Sequence, residues 1–372
     1  MKKLRIVAFG GFRSIPPKAG GAGSDKFAYE LYPRFVEKGH SVVAYTRKYK
    51  GDAEIDKSEY EGIKLIPFKT VSKAGFDSLL HSFKAAMHII FKNTGDFVHV
   101  HSGANSVWVI LLRAAGKKVF VSQFAMDWKR DKWPWYGKLY YLVSIYLTAF
   151  LPNRVIFDNI YTRDYFEERF KKKFDFIPYG SEVPETDGSS DILEKLGLQE
   201  KEYFLFVGRF IPDKGLHLLV NAFEKIKTNK KLVLIGGSPN PDKYENDIKN
   251  TDDSRIIFPG YIYGDDTNTL IKNAYAYIQP SLIEGLSPVI LTVMGLGTPL
   301  ICSDIKENLY ITKENAVHFV SGDSQSLMNK IEYALDNEQS LKNNALSGRI
   351  DISDRFNWDK ITDSFIEIFK QC

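Results

Sequence analysis

Along nearly the whole chain, short apolar runs alternate with longer amphipathic segments, and the alternation comes in two series. Residues 4–10, 41–46, 63–68, 96–101, 118–124 and 154–158 form the first series, and residues 203–209, 231–237, 255–260, 276–281 and 298–304 the second. This alternation predicts α/β architecture, with parallel sheets covered by helices. Between the series lies 176-FIPYGSEVPETDGSSDILEKLG-197, rich in Pro, Gly, Ser and acidic residues, the composition of a linker that leads into a new helix. Two Rossmann-like, doubly wound domains are therefore expected, residues 1–180 and residues 181–354. Ligands of such sheets bind outside the carboxyl ends of the strands, in a cleft. The last residues, 358-WDKITDSFIEIFKQC-372, read as an amphipathic helix.

Composition narrows the class. A chain of 372 residues with 44% hydrophobic and 26% charged residues can bury large cores, and its length favours two domains over one. Its two cysteines, Cys302 and Cys372, lie far apart, which argues against a disulfide framework or a cysteine-based metal site and suits a reducing cytoplasm. The opening MKKLRIVAFGGF breaks at Gly10-Gly11 and reads as a first strand rather than a signal peptide. The longest apolar stretch, 139-LYYLVSIYLTAFL-151, falls short of the about 20 residues that span a bilayer. The net charge of +4 is modest, but basic residues cluster with aromatics. Lys129, Arg130, Lys132 and Lys138 interleave with Trp128, Trp133, Trp135 and Tyr136, and 169-RFKKK-173 forms a second run. Such clusters meet an anionic membrane surface or phosphates, unless they are simply solvated faces. No nucleic-acid motif is present, and nucleic acid is not an expected partner.

Three stretches carry chemistry. In 18-KAGGAGSDKFAYEL-31, glycines precede Ser24 and Asp25, so a glycine-rich loop enters a helix whose free N–H groups favour an anion, with Ser24 expected as N-cap. The spacing is not that of a dinucleotide fingerprint. In 207-VGRFIPDKG-215, Arg209 ends a strand and Lys214 precedes a helix, with Gly208 and Gly215 permitting close turns. A planar fork and a point charge at one sheet edge suit a diphosphate. In 281-SLIEGLSPVILTVMGLGTP-299, Glu284 stands beside the amides of Gly285, Leu286 and Ser287, just before Pro288 opens a helix. A carboxylate accepts sugar hydroxyls while amides donate to sugar or phosphate oxygens. The bland alternative is that Glu284 only caps its loop.

Together with 96-DFVHVH-101, 177-IPYG-180 and the terminal WDKI helix, these motifs resemble, in order and spacing, the retaining glycosyltransferases of family four, which have the GT-B fold. The resemblance covers nearly the whole chain. It implies that the terminal helix, from about residue 355, crosses back onto the first domain, and that a sugar moves from a nucleotide diphosphate sugar to a glycan or lipid-linked acceptor with retention. It implies no metal and no cofactor beyond the donor itself. The segment 127-DWKRDKWPWYGK-138 is similar to that of a rhamnosyltransferase-like branch of polysaccharide synthesis, a cytoplasmic setting at the inner face of the membrane. By position, Gly23 resembles the loop glycine at the diphosphate, Arg209 and Lys214 the phosphate clamp, and Glu284 the first glutamate of an E-x7-E pair, on the donor sugar. Gly208, Gly285, Leu286 and Ser287 line the donor, and Gly260, Tyr261 and Ile262 frame the base. Asp127, with Trp128 and Arg130, is expected to meet the acceptor.

Two positions depart from the family pattern. The second glutamate, which holds the ribose, is Thr292, and the place of a histidine after strand 118–124 is taken by Phe124. His101 is the candidate to compensate on the acceptor side, against the alternative that it and His99 are hydrogen-bonded core residues. These departures favour a second reading, an impaired glycosyltransferase-like binding subunit, and the double-domain shape leaves a third, a non-hydrolysing sugar-nucleotide epimerase.

Overall fold

The computed structural model describes residues 3–17, 23–49, 58–71, 76–124, 134–181, 191–238 and 243–372. It divides into two compact units, residues 1–180 with 358–372, and residues 181–357.

The first unit holds strands β1 (Arg5–Phe9), β2 (Ser41–Lys48), β3 (Glu59–Tyr60), β4 (Ile63–Lys69), β5 (Phe97–His101), β6 (Lys118–Gln123), β7 (Arg154–Phe157) and β8 (Asp175–Phe176). They lie in the order β3-β4-β2-β1-β5-β6-β7-β8, parallel throughout except where the short β3 pairs with β4. Helices α1 (Gly23–Glu37), α2 (Phe76–Lys92), α3 (Val109–Ala114), α4 (Trp135–Phe150) and α5 (Ile160–Phe170) connect them. Val7, Phe9, Val98, Val100, Val119 and Val121 build one core layer against Ala85, Ala86 and Ile89 of α2. That layer accounts for the continuous apolar runs of the inner strands.

In the second unit, β9 (Tyr203–Arg209), β10 (Lys231–Gly237), β11 (Ile256–Gly260), β12 (Ala276–Gln279), β13 (Leu300–Ser303) and β14 (Val317–Phe319) form an all-parallel sheet in the order β11-β10-β9-β12-β13-β14. Its helices are α6 (Asp191–Lys195), α7 (Leu216–Phe223), α8 (Lys243–Lys249), α9 (Asp265–Asn273), α10 (Pro288–Gly295), α11 (Lys306–Thr312), α12 (Ser324–Asp336) and α13 (Glu338–Arg355). The sequence pattern missed only β3, β8 and β14, strands of two or three residues that are too short to show a period.

The terminal helix α14 (Trp358–Lys370) belongs to the first unit. Its apolar stripe, Trp358, Ile361, Phe365, Ile366 and Phe369, is buried; the Phe369 ring lies 4.1 Å from that of Phe120 and 5.8 Å from that of Phe35. Gly180 is the glycine this packing requires, because a Cβ there would stand 2.3 Å from the Trp358 ring. Arg355 and Phe356, expected with the crossing helix, stay with the second unit. Phe356 has no exposed surface, and Arg355 donates to the Tyr310 carbonyl at 3.1 Å.

Both sheets have a switch point, where the chain leaves two neighbouring strands in opposite directions: β1 beside β5, and β9 beside β12. Among the described residues, no helix is long and apolar enough to cross a membrane.

Candidate functional site

The second switch point collects most of the residues singled out in the sequence. Arg209 is the last residue of β9, and Pro212–Lys214 form a 3-10 turn before α7. Gly215 adopts φ +67°, and a Cβ there would lie 2.0 Å from the Pro280 carbonyl oxygen. Only glycine lets the turn after β9 approach the end of β12 so closely. The N–H of Leu282 donates to the Asp213 carbonyl at 2.8 Å and stitches the two loops together.

This approach brings Lys214 and Glu284 into contact. Lys214 Nζ lies 2.5 Å from Glu284 Oε1, with side chains 18% and 9% exposed. The same oxygen accepts from Gln279 Nε2 at 2.6 Å and from Ser281 Oγ at 2.7 Å. Gln279 Nε2 also donates to Ser281 Oγ at 2.8 Å, and Gln279 Oε1 accepts from the Tyr277 hydroxyl at 3.0 Å. Tyr277 is fully buried, and that burial raises its pKa, so it stays a neutral donor. Oε1 is thus saturated by three donors, and no described residue donates to Oε2. One oxygen fixes the carboxylate and the other is left to accept.

Arg209 is exposed and pairs with none of the described residues. The backbone N–H groups of Gly285, Leu286 and Ser287 likewise donate to no described group, and Ser287 is the N-cap of α10 with Pro288 at the first helical position. The free amides and the helix N-terminus are an anion-accepting edge. Thr292 sits half-buried one turn into α10, its hydroxyl donating to the Pro288 carbonyl at 3.2 Å. Its hydroxyl oxygen can still accept.

At the far side of the same sheet edge, Gly260 ends β11 with φ +82°, and Tyr261 stacks on Tyr263 with ring centroids 5.9 Å apart and planes at 6°. Both rings are at least half exposed. From β11 to β12 is three strand spacings, about 14 Å.

The sequence reading missed Gln279, Ser281 and Tyr277. Their signal was present: with a period of two, residues 277, 279 and 281 share one face of a strand that is otherwise apolar. Glu307, in the first turn of α11, was also missed. Its carboxyl pKa is raised, chiefly by burial, with the Glu284 charge adding to the effect.

In the first unit the expectations fare differently. Gly23 opens α1, but Ser24 lies inside the helix and donates to the Gly11 carbonyl at 3.1 Å, so it is not the N-cap. Asp25 is buried and accepts from the N–H groups of Arg13 at 2.5 Å and Ser14 at 3.2 Å. It ties down the loop that follows β1. The glycine-rich residues 18–22, and Asp127, Trp128 and Arg130, lie outside the described residues.

The acceptor-side role expected of His101 is corrected. His101 has no exposed surface and lies among Phe12, Phe27 and Phe124, with ring centroids 5.1, 5.6 and 5.8 Å away. The Tyr32 hydroxyl bonds His101 Nε2 at 2.5 Å and His99 Nδ1 at 2.9 Å, donating to one and accepting from the other. His99 Nε2 is in turn bonded to Ser122 Oγ at 2.7 Å. The residue that departs from the family pattern, Phe124, packs directly on this histidine.

Comparison with known proteins finds glycosyltransferases among the relatives of this chain. Residues 21–182 match the family described as Glycosyltransferase Family 4, and residues 189–349 match glycosyl transferases group 1. An uncharacterized glycosyltransferase of Methanocaldococcus jannaschii is 28% identical over 188 residues, covering 47% of this chain and 46% of the relative. The O-antigen chain mannosyltransferase C of Escherichia coli is 24% identical over 219 residues, covering 54% of this chain and 56% of its own length. The chain thus spans about half the length of these curated relatives. Among solved structures, HepE of Anabaena in complex with UDP and glucose superposes with a TM-score of 0.79 at 16% identity, over 99% of this chain and 100% of its own. That likeness shows the fold.

Proposed function

We propose that this chain, whose residues 21–182 and 189–349 match the Glycosyltransferase Family 4 and glycosyl transferases group 1 models and which has the GT-B fold, moves a sugar from a nucleotide diphosphate sugar to a glycan or lipid-linked acceptor in polysaccharide synthesis. The observation that carries this reading is the Glu284 carboxylate, fixed through one oxygen beside free amides and the unpaired Arg209. In the proposed mode the base stacks on Tyr261 beside Gly260, the diphosphate lies over Gly208 and Arg209, and the sugar hydroxyls meet Glu284 Oε2 with Gly285, Leu286 and Ser287. Transfer breaks the bond from the sugar to the diphosphate and forms one to the acceptor hydroxyl oxygen, whose proton passes to the departing diphosphate. The charge left on the diphosphate is stabilised by Arg209 and by Lys214 once it exchanges Glu284 for phosphate. Thr292 faces the ribose with a single neutral hydroxyl.

Retention, independence of metal, and membership of a rhamnosyltransferase-like branch belong to the same proposal and rest on the resemblance of the motifs. The acceptor side is assigned to Asp127, Trp128 and Arg130, at the cytoplasmic face of a membrane. The test begins with a melting-temperature screen of UDP, GDP, dTDP and CDP, because a ligand of the folded state raises the midpoint by mass action. Transfer from the matching nucleotide sugar is then measured with and without chelator, and the anomeric configuration of the product is read by NMR. A shift from no nucleotide overturns the reading, and nucleotide binding without transfer or hydrolysis favours the binding subunit that Thr292 and Phe124 suggest.

A further inference from the structure

Helix α4 is apolar on its outer face as well as on the face it buries. Trp135, Tyr136, Leu139, Leu142, Val143, Tyr146 and Phe150 recur at three- and four-residue steps, and each is exposed, from 39% at Leu142 to 77% at Trp135. The face turned to the protein is narrower: Ile145 and Ala149 join the core with Val155, Phe157 and Phe166, and Ser144 and Thr148 are buried beside them, with Thr148 Oγ1 2.8 Å from Ser106 Oγ. A helix whose outer face is apolar as well has an unpartnered face. Trp135 to Phe150 contains no acidic residue, and at 16 residues the helix is about 24 Å long, too short to span a bilayer.

What lies beside the stripe identifies its partner. The end of α5 brings the second basic run against the C-terminal half of α4. The Arg169 guanidinium donates to the Tyr146 hydroxyl at 3.0 Å and lies over the Tyr146 ring at 5.4 Å. The Phe170 ring meets Tyr146 at 5.2 Å and Phe150 at 5.6 Å, and Lys172 donates to the Ala149 carbonyl at 2.9 Å. Lys171, Lys172 and Lys173 are exposed. The acidic neighbours are Glu167, paired to Lys173 at 2.7 Å, and Glu168, so the border of the stripe stays net positive. Exposed tryptophan and tyrosine at the rim of an apolar stripe flanked by cations is the chemistry of a helix lying in a lipid headgroup layer.

We propose that α4, with Arg169, Lys171 and Lys172, is a surface that lies flat in an anionic lipid bilayer, apolar stripe down and cations at the phosphates. This goes beyond the proposed transfer reaction and needs no donor to be tested. The sequence offers two basic runs for such contact, one within 129–138 and one at 169–173, and the structure joins the second to the apolar face.

The experiment is sedimentation of the full chain with vesicles of phosphatidylcholine alone and of equal parts phosphatidylcholine and phosphatidylglycerol. Wild type is expected to sediment with the anionic vesicles and less so in high salt. Leu139→Ser with Val143→Ser is expected to lower binding, and Lys171→Glu with Lys172→Glu to lower it by about fivefold or more for each cation removed and to flatten its salt dependence. All these side chains are exposed, so unchanged melting temperatures and nucleotide-induced shifts establish that the variants are folded. Wild type left in the supernatant overturns the proposal, as does sedimentation unchanged in the Ser variant. A dimer in sizing experiments that the Ser substitutions abolish also overturns it, since a second copy then covers the stripe. Loss of vesicle binding with transfer to a soluble acceptor intact separates this surface from the catalytic proposal.

Discussion

Lys214 Nζ and Glu284 Oε1, 70 residues apart in sequence, lie 2.5 Å apart at the switch point of the second sheet. The cation proposed for the diphosphate and the carboxylate proposed for the sugar therefore neutralise each other. Arg209, on the neighbouring strand, has no such partner among the described residues.

The contrast separates the two cations experimentally. Lys214→Ala is expected to lower stability by about 1–3 kcal/mol, because it strips a charge partner from a largely buried carboxylate. Arg209→Ala leaves stability unchanged. Both are expected to cut transfer by about 1.5–3 kcal/mol of lost charge-assisted contact, roughly ten- to over a hundredfold. Melting curves and turnover of the two variants check this, and equal melting temperatures would contradict the pairing.

Gln279 holds Glu284 and is held by Tyr277, so Gln279→Leu frees Oε1 of one donor and leaves the Tyr277 hydroxyl without its side-chain acceptor. The expected outcome is a loss of about 1–3 kcal/mol in stability and a fall in kcat at nearly constant nucleotide affinity. A variant that loses nucleotide affinity and keeps kcat would place Glu284 on the nucleotide instead of the sugar.

Thr292→Glu restores a carboxylate at the position proposed to face the ribose. Two charge-assisted hydrogen bonds in place of one neutral bond should tighten nucleoside diphosphate binding by about 1–3 kcal/mol, roughly five- to over a hundredfold. Glu284→Ala, in parallel, is expected to abolish transfer and keep most of that affinity. Calorimetry on both variants decides, and a folded Thr292→Glu protein that binds no tighter than wild type means that the ribose is held elsewhere.

The buried histidines set the response to acid. Burial holds His81 and His99 down at about 3 and His101 well below its ordinary value, and the charge of Arg47 adds to the effect at His81. Between about pH 6.5 and 3 the unfolded chain binds protons that the folded chain excludes, so stability rises with pH across that window. It is complete above the unfolded value and is lost as pH falls, by up to about 1.4 kcal/mol per unit for each histidine. Urea midpoints should drop steadily from neutral pH to about pH 5, and a flat profile would show these rings to be solvated.

The alternation of apolar runs and amphipathic segments fixed the parallel sheets, because a strand buried in a sheet and a helix covering it each impose their own period on the residues nearby. The same local pattern placed Arg209 at the end of a strand and Glu284 before a helix. It stopped short wherever the outcome depended on two distant segments meeting. The pairing of Lys214 with Glu284 follows from Gly215 lying against Pro280, and the saturation of one carboxylate oxygen follows from strand β12 turning Gln279 and Ser281 to the same side. His101 carries no mark in the sequence that separates a site residue from a core residue; Phe27 and Tyr32 of α1, with Phe12 and Phe124 from the segments after β1 and β6, enclose it. The apolar stripe of α4 reads from its sequence as a face that a core would bury. Only the packed structure, which turns Ser144, Ile145, Thr148 and Ala149 inward, leaves that stripe to the outside.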